Sequence, residues 1–191
     1  KLLDVLDFPL AAPSANISSR GSAVNANDIK DDFGEKISFI LNGGSSKIGL
    51  ESTIIDLTNT PKILRLGGLE VSRIEKILKT KIKIDINPKR KISPGQSLLH
   101  YSPGIPLRMN VLKPKKNEAY VLLKKSKYTN KNYFYLSKNN NLNEAAKNLY
   151  SLLRKIKKIG YKSIAIEKIQ NIGIGQSIND RLKRASNFKS K

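Results

Sequence analysis

The sequence predicts an α/β protein, and three observations predict it. First, short apolar runs end in small polar or glycine-rich motifs, as Phe8 to Ala12 does at Pro13 and Ile37 to Leu41 does at Asn42-Gly43-Gly44. An open sheet exposes ligand-binding groups at its strand ends in this way. Second, strand-like runs alternate with helical patterns beyond residue 107, which marks a parallel sheet. Third, the segment between these regions holds Pro88, Pro94, Pro103 and Pro106 with Gly95 and Gly104, a density that prevents a regular helix or a central strand. The predicted organisation is an open-sheet unit over 1–81, an extended linker over 82–106 and a small parallel-sheet unit over 107–191.

In chain order, Phe8 to Ala12 reads as a buried strand stopped by Pro13. Asn25 or Asn27 can cap a short helix through Phe33, with Asp28 favourably placed near its positive end. Ile37 to Leu41 reads as a second strand, and Ser52 to Leu57 and Lys62 to Leu66 as two more, joined by a turn at Thr58-Asn59-Thr60-Pro61. Ser72 with Glu75 three residues on has the form of a capping box for a helix from Arg73 to Leu78. In the last unit, Ala119 to Leu123, Tyr133 to Leu136 and Ser163 to Ile166 are strand-like. Asn143 is the expected cap of a helix whose Ala146, Leu149, Tyr150, Leu153 and Ile156 recur at helical spacing. Ser177 to Ala185 forms the final helix, and the tail from Asn187 is expected to fray.

Composition narrows the function classes. The chain has 191 residues, 39% of them apolar, enough to bury at least one core. No stretch approaches the run of about 20 apolar residues that a spanning helix needs, so no membrane role is expected. Cysteine is absent, which excludes disulfides and thiolate metal sites and fits a cytoplasmic location. The net charge of +21 is uneven: residues 1–100 carry 15 basic against 11 acidic groups, whereas 101–191 carry 21 against 4. Such a basic region attracts polyanions, and abundant solvated lysine accounts for it nearly as well. The start at Lys1, without a clean cap, leads to the expectation that an N-terminal portion is missing.

Three segments carry candidate chemistry. In Ala12-Pro13-Ser14-Ala15-Asn16, Pro13 stiffens a turn that presents the Ser14 hydroxyl and the Asn16 amide; both groups could instead cap the turn itself. In Gly49-Leu50-Glu51-Ser52-Thr53-Ile54-Ile55-Asp56, Ser52 starts a strand, and a period of two turns Glu51 and Thr53 to the other face. Glu51 could pair with a base of the scaffold, and Asp56 reads as structural. In Ile63-Leu64-Arg65-Leu66-Gly67-Gly68, Arg65 is poised to offer a guanidinium fork to phosphate, unless Glu51 or Asp56 neutralises it. The glycine pair permits close backbone approach. In the linker, Tyr101 combines an apolar ring with a polar tip. His100, the only histidine, lacks a partner at triad or metal spacing and is expected to anchor the linker.

In this order and spacing the three segments resemble the YrdC-type threonylcarbamoyl-AMP synthases. His100-Tyr101-Ser102-Pro103 after Ser93-Pro94-Gly95, and Ile178-Asn179-Asp180-Arg181-Leu182 near the end, are similar to the two-domain form with a C-terminal extension. The resemblance implies a partial YrdC-like twisted open sheet, a linker folded over a nucleotide pocket and a small Rossmann-like domain. It implies synthesis of threonylcarbamoyl-adenylate from L-threonine, bicarbonate and ATP, with release of pyrophosphate, for downstream tRNA-modification enzymes. By the same resemblance Ser14 and Ser52 meet threonine, while Asn16, Val24, Arg65 and Tyr101 meet ATP. Mg2+ is expected with ATP, with no protein ligand for it, and no catalytic side chain is assigned. The sequence departs from the family pattern in three places. Leu66 replaces a proline, Val24 lacks the usual hydroxyl so that only its backbone could serve, and the Lys/Arg-rich motif for the triphosphate is not in this chain. The rival readings are a basic RNA-binding module, with weak nonspecific binding expected, and an inactive truncated homologue.

Overall fold

Two separate sheets organise the chain, whose computed structural model describes residues 2–88, 90–127 and 129–188. The first begins late. Residues 2–53 hold one helix, α1 (Ala26–Phe33), and short 3-10 turns at Leu3–Val5 and Gly34–Lys36. Asn25 caps α1 by accepting a hydrogen bond from the Asp28 amide, and Gly34, at φ 56°, ends it. Strands β1 (Ile54–Asp56) and β2 (Lys62–Arg65) then form an antiparallel hairpin around the expected turn. Helix α2 (Val71–Leu78) follows and buries Val71 and Ile74 with Ile63, Leu66 and Ile82 in a small core. Strand β3 (Lys83–Ile84) adds a parallel edge to β2, so this sheet reaches into the proline-rich segment.

The second sheet is wholly parallel, with β4 (Leu107–Arg108), β5 (Ala119–Lys124), β6 (Tyr133–Ser137) and β7 (Ile164–Ile166) in the order β4-β7-β5-β6. Helices α3 (Leu142–Ile159) and α4 (Gly175–Ser186) close the main core against it, where Leu149, Ile156, Ile164, Ile178 and Leu182 are buried. The other face buries Tyr120, Leu122 and Ala165, and the Tyr120 hydroxyl donates to the Val111 carbonyl at 2.8 Å. The expected α/β class and parallel sheet are therefore present. Among the described residues no helix is long and apolar enough to cross a membrane.

Four expectations are corrected. Phe8 to Ala12 and Ile37 to Leu41 are not strands; Phe8 and Phe39 are 57% and 77% exposed. Their apolar patterns are strand-like, but a strand exists only when another pairs with it, and none of the described residues does so. Ser72 does not cap α2. It lies inside the helix, the capping position falls on Glu70, and Glu75 binds Lys81 and the Ile82 amide instead. The cap of α3 is Asn141, whose side chain accepts from the Asn143 and Glu144 amides, so the helix starts one residue before the expected Asn143 cap.

Candidate functional site

The β1 and β2 strand ends meet because two glycines let them. A Cβ on Gly67 would collide with the backbone of Ser52 and Thr53, and the Gly68 amide donates to the Glu51 carbonyl at 2.9 Å. This close approach brings two expected site residues together. Arg65 Nε donates to the Ser52 carbonyl at 2.9 Å, and a terminal guanidinium nitrogen donates to Ser52 Oγ at 3.0 Å. The acids that could have neutralised Arg65 are engaged elsewhere: Glu51 pairs with Arg181 and Asp56 with Lys62. Arg65 thus keeps donors for an anion.

Tyr101 reaches the same place from the linker. It is buried with its backbone at φ 62°, a conformation uncommon for a bulky residue and typical of functional sites. Its amide donates to His100 Nδ1 at 3.0 Å, and its ring stacks on Tyr150 with centroids 6.0 Å apart. The hydroxyl ends beside Gly95, where an added Cβ would strike both it and the Arg65 side chain. That hydroxyl is buried without a hydrogen-bond partner, and burial pushes its pKa up, so it stays a donor at neutral pH. Burial first, with the cations Arg181, Arg184 and Arg65, lowers the His100 pKa against the opposing pull of Glu51. A neutral His100 accepting the Tyr101 amide holds the linker at this point, as an anchor would.

The other expected residues are placed differently. Asn16 donates from its amide to the Ile17 and Arg20 carbonyls, which is the turn-capping alternative, yet its Oδ1 is buried without a partner. The turn it shapes touches the linker, since the Ser102 amide donates to the Ser19 carbonyl at 2.9 Å. Ser14 is exposed, and its carbonyl accepts from the Asn16 amide. Val24 belongs to the main core, with its amide donating to Asp28 and its carbonyl accepting from Ser46, so the backbone groups left to it by the sequence are both occupied.

Sequence reasoning placed Tyr150 on the apolar face of α3 and Arg181 in a terminal motif, and gave neither a role in the site. Glu51 accepts from Arg181 Nε at 2.8 Å, from the Tyr150 hydroxyl at 3.1 Å and from the Ser22 hydroxyl at 2.5 Å. Burial alone would raise the Glu51 pKa, but the Arg181 charge and the Ser22 hydroxyl lower it overall. A signal for Arg181 was present: it falls three residues after Ile178 and directly before Leu182, on the apolar stripe of α4, where an arginine must be paired. A separate cleft of about 490 Å³ between α1, α3 and the linker is lined by Arg20, Asp32, Tyr101, Tyr150 and Arg154, and by neither Ser52 nor Arg65. Its charges largely satisfy one another, Arg154 and Arg20 both pairing with Asp32. No group of three carboxylate or histidine side chains is placed to hold a metal ion among the described residues.

A family model for the C-terminal domain of threonylcarbamoyl-AMP synthase matches residues 69–187, and a Sua5–YciO–YrdC model described as telomere recombination matches 1–67. The threonylcarbamoyl-AMP synthase of Pyrococcus abyssi is 32% identical over 99% of this chain and 61% of its own length. That of Bacillus subtilis is 30% identical over 94% of this chain and 57% of its own. The crystal structure of P. abyssi Sua5 complexed with L-threonine superimposes with a TM-score of 0.79 at 31% identity, covering 92% of this chain and 57% of that one. A variant of that protein with an adjacent histidine and tyrosine replaced by alanine superimposes at 0.72 and 29% identity. The chain thus spans little more than half the length of these relatives.

Proposed function

The chain belongs to the threonylcarbamoyl-AMP synthase family, and on that premise we propose that it forms part of an enzyme making threonylcarbamoyl-adenylate. The reaction is that of a nucleotidyltransferase. The threonine amine bonds to the bicarbonate carbon with loss of water, and an oxygen of the resulting carbamate attacks the α-phosphorus of ATP as pyrophosphate leaves. The observation that carries this reading is Arg65: it pairs with no carboxylate among the described residues, is held in place by Ser52, and adjoins the unpartnered Tyr101 hydroxyl across Gly95.

Arg65 and Tyr101 are assigned to ATP, with Asn16 contributing its unpartnered Oδ1; Val24, its backbone groups occupied and its side chain in the main core, is left out of the ATP site. Ser52 and Ser14 are assigned to threonine, and the threonine-bound relative supports that substrate. Arg65 would balance the charge that builds as pyrophosphate departs, which makes catalysis a matter of positioning and electrostatics. Mg2+ would arrive on the ATP phosphates. The proposed division is a YrdC-like part over 1–81, a linker and lid over 82–106 and a C-terminal domain over 107–191, with β3 bonding across the first boundary. The lid is the part that would shield the reactive adenylate from water. The setting is cytoplasmic, with tRNA-modification enzymes taking the product. Weak, sequence-independent RNA binding by 107–191 fits its excess of 21 basic over 4 acidic residues.

Pyrophosphate release by the intact protein tests the reading. It should require ATP, L-threonine and bicarbonate together, and release that ignores threonine would overturn it. Arg65→Ala should weaken ATP binding roughly 10- to 150-fold, the worth of a charge-assisted hydrogen bond of about 1.5–3 kcal/mol. An unchanged affinity would make Arg65 a scaffold residue.

A further inference from the structure

We propose that Arg181, on the last helix, is a positioning residue that sets the nucleotide side of the site; the proposal rests on the functional reading above. Arg181 is 1% exposed, and its guanidinium is divided among three segments that are distant in sequence. Nε holds Glu51, the residue before Ser52, at 2.8 Å. NH2 holds the carbonyl of Leu66, the residue after Arg65, at 2.6 Å. The guanidinium carbon lies 4.5 Å from the centroid of the Tyr101 ring, in cation–π geometry. Asp180 takes the remaining terminal nitrogen at 2.7 Å and shares its own charge with Arg184, 3.1 Å away.

One planar group therefore fixes the strand end that carries Ser52, the strand end that carries Arg65 and the ring whose hydroxyl adjoins Arg65. Two of these three contacts serve residues assigned to ATP. Lysine could keep the charge, but it cannot reproduce the fork and the flat face at the same time. The consequence of its loss is a misplaced Arg65–Tyr101 pair, and placement errors on the order of 1 Å are costly in a site that works by positioning.

Arg184 supplies the control. It is also buried and bonds Asp180 and the carbonyls of Ser97 and Ile86, yet among the described residues it makes no hydrogen bond to Glu51, Leu66 or Tyr101. The experiment compares Arg181→Lys and Arg184→Lys in the intact protein, measuring ATP affinity by calorimetry, KM for ATP and threonine by pyrophosphate release, and thermal midpoint. Arg181→Lys should raise the ATP Kd and KM about tenfold while the threonine KM stays within twofold. Arg184→Lys should lower the thermal midpoint and leave the ATP KM unchanged. A merely structural role for Arg181 would lower kcat through loss of folded enzyme, with both KM values unmoved, and that result overturns the proposal. So does an equal rise in ATP KM in the two variants. An unsubstituted protein that binds ATP without forming the adenylate defeats the reaction reading, while the difference in ATP affinity still decides the role of Arg181. An unsubstituted protein that fails to bind ATP defeats both.

Discussion

Residues 2–53 and residues 107–186 have similar apolar vocabulary and opposite outcomes. In the later region Ala119 to Leu123 is buried at every position, between partners on both sides. In the earlier region Phe8, Leu10, Phe39 and Leu41 are all exposed, and the segments holding them carry no strand. The later region contains four strands paired in one sheet and two helices with matching apolar faces, so each run finds both hydrogen-bond and packing partners. The earlier region contains runs of the same kind without such partners among the described residues. The difference teaches that an apolar run states a requirement, and that its surroundings decide whether the requirement is met.

The sharpest way to break that comparison is to remove one apolar side chain from each region. Leu149→Ala, in the α3 core, should destabilise by about 2–5 kcal/mol, whereas Phe39→Ala should stay within about 0.5 kcal/mol. Urea denaturation of the intact protein measures both, and comparable losses would mean that Phe39 is buried in that protein.

A smaller effect tests the later region's local signals. Asn141→Ala should cost about 1 kcal/mol through the lost α3 cap, and Asn143→Ala should fall within about 0.5 kcal/mol of the parent. Equal losses would return the cap to the position expected from the sequence.

The smallest effect concerns the seam between the regions. The unfolded His100 titrates near 6.5, and its folded pKa is lower, mainly because it is buried. The folded protein therefore binds fewer protons than the unfolded chain just below that pH. Stability is complete above about 6.5 and declines as pH falls through it towards the folded pKa. His100→Asn should flatten the dependence of the urea midpoint on pH in that window, and an unchanged slope would assign the effect to another group.

By itself, the sequence determined the class of the protein and three of the four strands of the second sheet with both of its helices. β5, β6, α3, β7 and α4 were all legible because their periodicity, turn residues and burial agree within each segment. That Ser52 and Arg65 stand at strand ends beside glycines was legible in the same way. The Asn141 cap, two residues before the expected one, was missed because two neighbouring asparagines offer the same oxygen. Only the tertiary structure decided that Glu51 belongs to Arg181, 130 residues away, that Tyr150 stacks on Tyr101, and that the backbone of Val24 is occupied. It also decided that two strand-like runs remain unpaired. The physical reason is common to all of these: a hydrogen bond or a strand pair requires two groups at bonding distance, and local pattern carries one of the two.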